Sequence, residues 1–147
     1  MQRKAKKPVK TPKKRIRYCF DEDASFLAKL SGHSPQYFTE YFKDGRGLMC
    51  NEGYVLFFPL INGARIEEIF VKKKRKTLAT QLITRLEVDI IDQGGCTIEY
   101  KVKEIDLETQ LFLKSMDYRA MNIVETSKGV YYLFKKFILT PKENVKD

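Results

Sequence analysis

The sequence predicts a mixed α/β (α+β) fold, in which a sheet of about seven strands carries helices on both faces. Short apolar runs rich in β-branched and aromatic residues alternate with segments whose apolar residues recur every three or four positions. Asn62-Gly63, between two apolar runs, is typical of an antiparallel hairpin turn. Gly94-Gly95 then separates a long helical segment from another strand, which indicates a helical crossover to a parallel strand.

The first half of the chain predicts strands and helices from local signals. Acids at Asp21-Glu22-Asp23 suit a helix start because they complement the helix dipole, and Gly32 closes that helix. Ser34-Pro35 combines a capping hydroxyl with proline at the first helical position. The predicted elements are a strand over 16–20, a helix from 21 to 32, a helix from 34 to about 45, and strands over 48–50 and 54–61.

The second half predicts the parallel crossover and a closing hairpin. A fourth strand ends at Val71, a long helix runs to about Asp92, and Asp106 caps a further helix. Further strands are predicted over 96–102, 118–125 and 130–137, which gives the order β-α-α-β-β-β-α-β-α-β-β. The long helix is indicated by an apolar stripe at Ala79, Leu82, Ile83, Leu86 and Ile90.

A basic loop joins the fourth strand to the long helix, and residues 72–76 are five consecutive cations. The unpaired N–H groups and the dipole of a helix N-terminus favour an anion, so this junction predicts a phosphate site. Runs of lysine are more often solvated surface, but these cations lie at a strand-to-helix junction and are not scattered along a helix face.

Net charge and composition suggest a folded domain between two polar tails. Residues 1–17 hold nine of the 28 cations and no acid, which leaves 19 cations against 19 acids in residues 18–147. We expect residues 1–14 to be a disordered basic tail, 15–138 the folded domain and 139–147 a polar C-terminal tail.

Several function classes are disfavoured. No apolar run approaches the ~20 residues of a membrane span, and the N-terminus lacks a secretory h-region. We therefore expect a cytoplasmic protein, a monomer or homodimer without a membrane partner, and leave nucleoid or nuclear association open. Cys19, Cys50, Cys96 and His33 show no metal-ligand spacing, so we expect no metal site and reduced, buried thiols. The phosphate-binding loop of nucleotide hydrolases is missing from the sequence.

The order of elements and the basic junction resemble the GNAT N-acetyltransferase superfamily, over about residues 16–137. That family has a strand ending in an apolar residue, then a loop Q/R-x-x-G-x-G/A that opens a long helix. Val71 is similar to the strand-end residue, and Ala79 matches the last small position. Lys74-Arg75-Lys76-Thr77-Leu78-Ala79 lies on the loop motif, with Thr77 in place of the first glycine and a loop about two residues shorter than usual.

A second resemblance follows the fifth strand, where the family has N-x-x-A-x-x-x-Y-x-x-x-G-F. This chain keeps the spacing, with Asp106 for the asparagine, Thr109 for the alanine, Leu113 for the tyrosine and Tyr118 for the phenylalanine. In the family that tyrosine often protonates the departing coenzyme A thiolate, and leucine has no proton to give.

The resemblance implies that acetyl-CoA lies between the fourth and fifth strands and donates its acetyl group to an amine of a protein, small molecule or nucleic acid. The pantetheine would pair with the backbone of the fourth strand, and the pyrophosphate would rest on amides at the start of the long helix. The implied cofactor-binding residues are Ile69, Phe70, Val71, Lys74, Arg75, Lys76, Thr77, Leu78, Ala79, Thr80, Asp106 and Leu113.

Transfer requires a base near the amine and an acid near the thiolate. Glu67 is the candidate base, because strand alternation would put it on the same face as Val71, while Glu68 would point away toward a surface cation. An ordinary strand carboxylate is an equally good interpretation of Glu67. Tyr118 and Tyr100 are candidate replacement acids, although strand tyrosines are usually packing residues.

The sequence leaves a second function open, in which a GNAT-like body has lost catalysis and binds nucleic acid. The cations of residues 3–17 would contact phosphates without sequence preference, and binding would weaken steeply as salt rises. Such a tail can also act as a nuclear-targeting signal or aid solubility.

Overall fold

The computed structural model describes residues 15–72 and 76–138. In that range the chain forms seven strands and four helices in the predicted order, with one 3-10 turn, Asp21–Asp23, before the first helix. The strands are β1 Arg17–Tyr18, β2 Arg46–Cys50, β3 Gly53–Leu60, β4 Gly63–Val71, β5 Thr97–Lys103, β6 Arg119–Thr126 and β7 Gly129–Phe137. The helices are α1 Ala24–Ser31, α2 Pro35–Tyr41, α3 Lys76–Asp92 and α4 Leu107–Ser115.

The strands form one mixed sheet in the order β1-β2-β3-β4-β5-β7-β6. Only β4 and β5 run parallel, and α3 is the crossover between them. All other neighbours are antiparallel. The predicted α/β class, strand number and crossover are therefore confirmed.

The capping signals explain where the helices begin and end. The Ser34 side chain accepts a hydrogen bond from the Tyr37 backbone N–H at 3.2 Å, directly before Pro35 opens α2. Gly32 ends α1 with φ at 94°, a left-handed conformation that favours glycine. Asp106 caps α4 by accepting from the Thr109 N–H at 3.1 Å.

The hairpin between β3 and β4 differs by one residue from the prediction. The two turn residues are Ile61 and Asn62, and Gly63 already pairs with Leu60 as the first residue of β4. A Cβ atom at Gly63 would collide with the Thr97 carbonyl oxygen of β5. Glycine is needed there because two parallel backbones approach closely, a tertiary requirement that a turn pattern does not reveal.

Each sheet face has its own apolar core. One core packs α3 and α4 on the sheet through Leu78, Leu82, Leu86, Leu113 and residues of β2–β5. The other packs α1 and α2 on β2 and β3 through Leu27, Phe38, Met49, Tyr54 and Leu56. Helices thus cover both faces, as the sequence predicts.

The cysteine expectation holds only in part. Cys50 is buried, but Cys19 is partly exposed and Cys96 is exposed in the connection that precedes β5. No helix among the described residues is long and apolar enough to cross a membrane. The predicted basic tail 1–14, the polar tail 139–147 and the loop residues Lys73, Lys74 and Arg75 lie outside the described residues.

Candidate active site

The parallel strands β4 and β5 pair over only part of their length. Their register joins Gly63–Ile66 to Thr97–Tyr100 and stops there, although β4 continues to Val71 and β5 to Lys103. Both strands keep their outer antiparallel neighbours beyond this point. The inner edges therefore splay apart after Ile66, and the β4 backbone groups that face β5 become available to a ligand.

A cavity of about 430 Å³ lies at the end of β4, on the sheet face that carries α3 and α4. It brings together Ile69, Phe70, Val71 and Ala79, four of the residues predicted to bind the cofactor. The opposite wall belongs to α4. Its lining residues there are Glu108, Thr109 and Phe112.

A larger cavity of about 920 Å³ opens beside the splay and extends to the β6–β7 turn. Glu67, Tyr100 and Asp106 line it, together with charged and aromatic residues of β5 and β7. Because the splay lies between the two cavities, a ligand in the smaller one could present a reactive group to a molecule in the larger one.

A β-bulge in the β3–β4 pairing changes where the two adjacent carboxylates point. Leu56 opposes Glu68 and Phe57 opposes Ile66, so Glu67 is the extra residue. Ile66 and Ile69 consequently face the same core although they are three residues apart. The alternation that would place Glu67 on the same face as Val71 is therefore interrupted, and Glu67 lies exposed at the larger cavity.

Glu68 has a different environment from the one that sequence alternation predicts. Its carboxylate accepts a hydrogen bond from the Tyr37 hydroxyl at 3.1 Å and lies 3.2 Å from His33 Nε2. The rings of His33 and Tyr37 stack with centroids 3.9 Å apart. Glu68 thus ties β4 to the segment that begins α2, and its partner is a histidine instead of a surface lysine or arginine.

Tyrosines around these carboxylates stay protonated. Burial is the main cause that raises the pKa of Tyr37, and the charge of Glu68 raises it further. The pKa of Tyr41 is raised by burial and then by the Glu67 charge. Sequence reasoning missed His33 and Tyr37 as site residues because their contact with Glu68 spans more than 30 positions of the chain.

Tyr100 occupies the point where β4 and β5 separate. It is the last β5 residue paired with β4, and it lines the larger cavity. Burial raises the pKa of its hydroxyl, with further contributions from the Glu68 and Asp106 charges, and the Ile69 backbone N–H, acting as a donor, lowers it. This hydroxyl is therefore a neutral proton donor beside the β4 backbone at the splay.

Tyr118 is placed away from both cavities. Only 1% of its surface is exposed, and its hydroxyl donates to Glu87 of α3 at 2.9 Å. Burial and the Glu87 charge raise the pKa of Tyr118. Lys136 completes this buried group by binding Glu87 at 3.1 Å. The predicted role of Tyr118 as an acid is not compatible with this position, because the hydroxyl faces α3.

Most of the other predicted cofactor-binding residues are either buried, exposed at the start of α3, or outside the described residues. Leu113 is fully buried in the core and lines neither cavity, so it cannot contact a ligand in this arrangement. Leu78 is likewise buried beneath the first turn of α3, whereas Thr77 and Thr80 are exposed there. Lys76 is the first residue of α3, and Lys74 and Arg75 lie outside the described residues.

Solved structures share this architecture. An aminoglycoside 6′-acetyltransferase type Ii has a TM-score of 0.72 and 16% identity, over 86% of this chain and 98% of that one. The ribosomal-protein-S18-alanine N-acetyltransferase from Escherichia coli has a TM-score of 0.71 and 15% identity, over 90% and 99%. An aminoglycoside 6′-N-acetyltransferase complexed with coenzyme A has a TM-score of 0.66 and 15% identity, over 82% and 91%. No protein-family model and no curated protein matches the chain.

The chain has the GNAT acetyltransferase fold. The match covers nearly the full length of the similar structures. At such low identity the comparisons establish the fold, and roles for individual residues must be argued from this chain's own geometry.

Proposed function

We propose that this protein is an acetyl-CoA-dependent N-acetyltransferase. The observation that carries the proposal is the splay after Ile66, where unpaired β4 backbone meets a 430 Å³ cavity bounded by α3 and α4. In support, a chain of the same fold has been crystallised with coenzyme A. The described residues fit such a cofactor because they supply backbone donors, an apolar wall and a helix N-terminus close together.

Each part of the cavity suits one part of the cofactor. The backbone of Ile69 to Val71 would pair with the pantetheine amides, much as a neighbouring strand would. Free N–H groups in the first turn of α3 would receive the pyrophosphate, and the small Ala79 leaves room for it. Cations of the 72–76 loop would add electrostatic attraction for the phosphates.

Glu67 is the proposed base. The carboxylate is exposed at the larger cavity and has no hydrogen-bond or ion-pair partner among the described residues, so its lone pairs can receive a proton. The acceptor nitrogen would attack the thioester carbonyl, and the proton it loses would pass to Glu67, directly or through water. Glu68 is less suited to this task, because hydrogen bonds from His33 and Tyr37 already engage it and it lines neither cavity.

Tyr100 is the proposed acid, and it takes the place that Leu113 and Tyr118 cannot fill. When the carbon–sulfur bond breaks, the electron pair stays on the coenzyme A sulfur, and the Tyr100 hydroxyl would supply the proton. Its raised pKa keeps that hydroxyl protonated at neutral pH. The Tyr100 ring packs against the core at the splay, where the thioester would lie.

Ligand-induced stabilisation tests the cofactor assignment most directly. Acetyl-CoA at 100 times its dissociation constant should stabilise the folded protein by about 2.7 kcal/mol and raise Tm by several degrees. ATP serves as a control for general anion binding. The variant Ala79→Leu, which fills the cavity, should lose most of the shift, whereas Thr84→Leu, exposed on the same helix, should keep it. An unchanged Tm with saturating acetyl-CoA would refute the proposal.

A second candidate is a catalytically inactive nucleic-acid-binding protein. It is favoured by one observation, that nine of the 28 cations lie in residues 1–17 without any acid. Such binding should weaken steeply with salt and disappear when residues 1–14 are removed. It would replace the transferase proposal if the full chain bound DNA or RNA in this way while acetyl-CoA produced no shift.

A further inference from the structure

The larger cavity carries an uneven set of charges. Its lining includes three carboxylates and four cations, so a ligand there would meet strong electrostatic fields. The carboxylates are Glu67, Glu99 and Asp106, and the cations are Arg65, Lys101, Lys103 and Lys128. Which of these charges is free to act on a ligand depends on their partners.

Two of the three carboxylates are already engaged. Arg65 binds Glu99 at 3.0 Å, which neutralises that pair. Asp106 accepts both the backbone N–H and the hydroxyl of Thr109, at 3.1 and 2.8 Å, as the cap of α4. Glu67 is then the carboxylate left open to a ligand, and it lies at the splay.

Within the part of the chain that the structure describes, the lysines of the cavity form no ion pairs. Among the described residues, neither Lys103 nor Lys128 forms an ion pair, and the Lys101 ammonium lies 5.1 Å from the Tyr131 ring centroid. Lys103 follows Tyr100 by three residues of a strand, and a strand rises about 3.3 Å per residue. Lys103 therefore lies about 10 Å along β5 from the splay. Lys128 belongs to the β6–β7 turn at the rim of the same cavity.

This separation of charge predicts the kind of molecule that the cavity accepts. We propose that the acceptor is an amine carried on an anionic molecule, with its amine at Glu67 and a carboxylate or phosphate held by Lys101, Lys103 and Lys128. The inference rests on the proposed transferase function. A polycationic acceptor such as an aminoglycoside would face three ammonium groups in this cavity, so its binding is disfavoured.

Matched acceptors test this inference through the rate of coenzyme A thiol release. The first pair compares a peptide whose free N-terminus precedes three glutamates with the same peptide carrying three glutamines instead. A second pair is 4-aminobutyl phosphate against 4-aminobutanol, and kanamycin is the cationic acceptor. We expect the anionic member to have a kcat/KM about tenfold higher at low ionic strength, a preference that should shrink as salt screens the lysines. Comparison of the two pairs shows whether a peptide or a small phosphorylated amine is the source of the anion.

Substitutions of the cavity lysines test whether the preference for anionic acceptors arises in this cavity. Lys103→Gln and Lys128→Gln together should reduce the preference for anionic acceptors by about tenfold, since an exposed charge pair contributes a factor of about three. Lys114→Gln, at an exposed lysine of α4 that lines neither cavity, should leave it unchanged. Rates with the neutral acceptors should stay constant in the Lys114→Gln control.

Binding to the coenzyme A-loaded protein provides a readout that does not need turnover. Fluorescence anisotropy with a labelled peptide should show tighter binding of the glutamate peptide, lost in the double variant. Equal affinity for both peptides, or a preference that survives in the double variant, would overturn the inference and leave the transferase proposal standing. Absence of any acetyl-CoA shift in Tm would instead overturn both.

Discussion

Replacing Glu67 and Glu68 separately by glutamine tests which of two adjacent carboxylates serves as the base and which stabilises the fold. Glu67 is exposed at the larger cavity, whereas Glu68 accepts hydrogen bonds from Tyr37 and His33 and its side chain is 25% exposed. Both substitutions keep the volume of the side chain and remove only its charge and basicity. The structure therefore predicts opposite effects on rate and on stability.

Glu67→Gln should slow transfer and leave the fold intact. A positioned general base contributes about 10²- to 10⁴-fold, so kcat should fall by that factor and the barrier should rise by about 3–5 kcal/mol. The free energy of unfolding should change by no more than about 0.5 kcal/mol, because no hydrogen bond is lost.

Glu68→Gln should instead act mainly on stability. Glutamine has one side-chain oxygen for the Tyr37 hydroxyl and would place its NH2 group opposite His33, so the charge-assisted contact is lost. We expect a cost of about 1–2 kcal/mol and a fall in Tm of roughly 4–8 °C, while kcat falls less than in Glu67→Gln.

Steady-state thiol release across pH and thermal melts with and without acetyl-CoA measure both quantities. If Glu67→Gln turns over at the wild-type rate and Glu68→Gln is inactive at a temperature where it is folded, then Glu68 is the base. In that case its hydrogen bonds with Tyr37 and His33 do not prevent it from accepting the proton.

Three further predictions follow from side-chain positions. Tyr100→Phe should lower kcat at least tenfold and leave the acetyl-CoA-induced shift in Tm intact, and a wild-type kcat would remove Tyr100 as the acid. Among the thiols, 5,5′-dithiobis(2-nitrobenzoic acid) should react quickly with the exposed Cys96 and slowly with Cys50 and Cys19, because burial raises the pKa of Cys19 to about 12. Equal labelling rates for the three cysteines would show that the native fold does not protect Cys50 and Cys19. Leu86→Ala, at a fully buried position of α3, should lower the free energy of unfolding by about 2–5 kcal/mol in urea, and a loss below 1 kcal/mol would contradict the packing.

The lining of the smaller cavity could be predicted from the sequence in part. The strand that ends at Val71 and the helix that carries Ala79 are local patterns, and a strand followed by a helix places their junction at one edge of the sheet. Four of the predicted cofactor-binding residues consequently line one cavity. Leu113 was predicted by its place in a motif, but its side chain packs into the core because α4 presents Thr109 and Phe112 to the cavity.

The surroundings of the carboxylates near the larger cavity depend on contacts between distant parts of the chain. A bulge opposite Leu56 and Phe57 changes the direction in which Glu67 points, and no local pattern in β4 predicts that bulge. His33 and Tyr37 meet Glu68 only because α2 packs over the sheet. The hydroxyl of Tyr118 could not be assigned from sequence either, since its partner Glu87 lies 31 residues away on α3.

The sequence by itself determined the order of helices and strands, the parallel crossover and the concentration of basic residues at the start of the chain and before α3. These properties depend on periodicity, capping residues and charge, which act over a few neighbouring positions. Only the tertiary structure decided that Glu67 lies at the larger cavity without a hydrogen-bond partner among the described residues, and that Tyr100 lies at the splay. Those outcomes depend on the register between strands and on helix packing, where a single extra residue in β4 reverses the direction of a side chain.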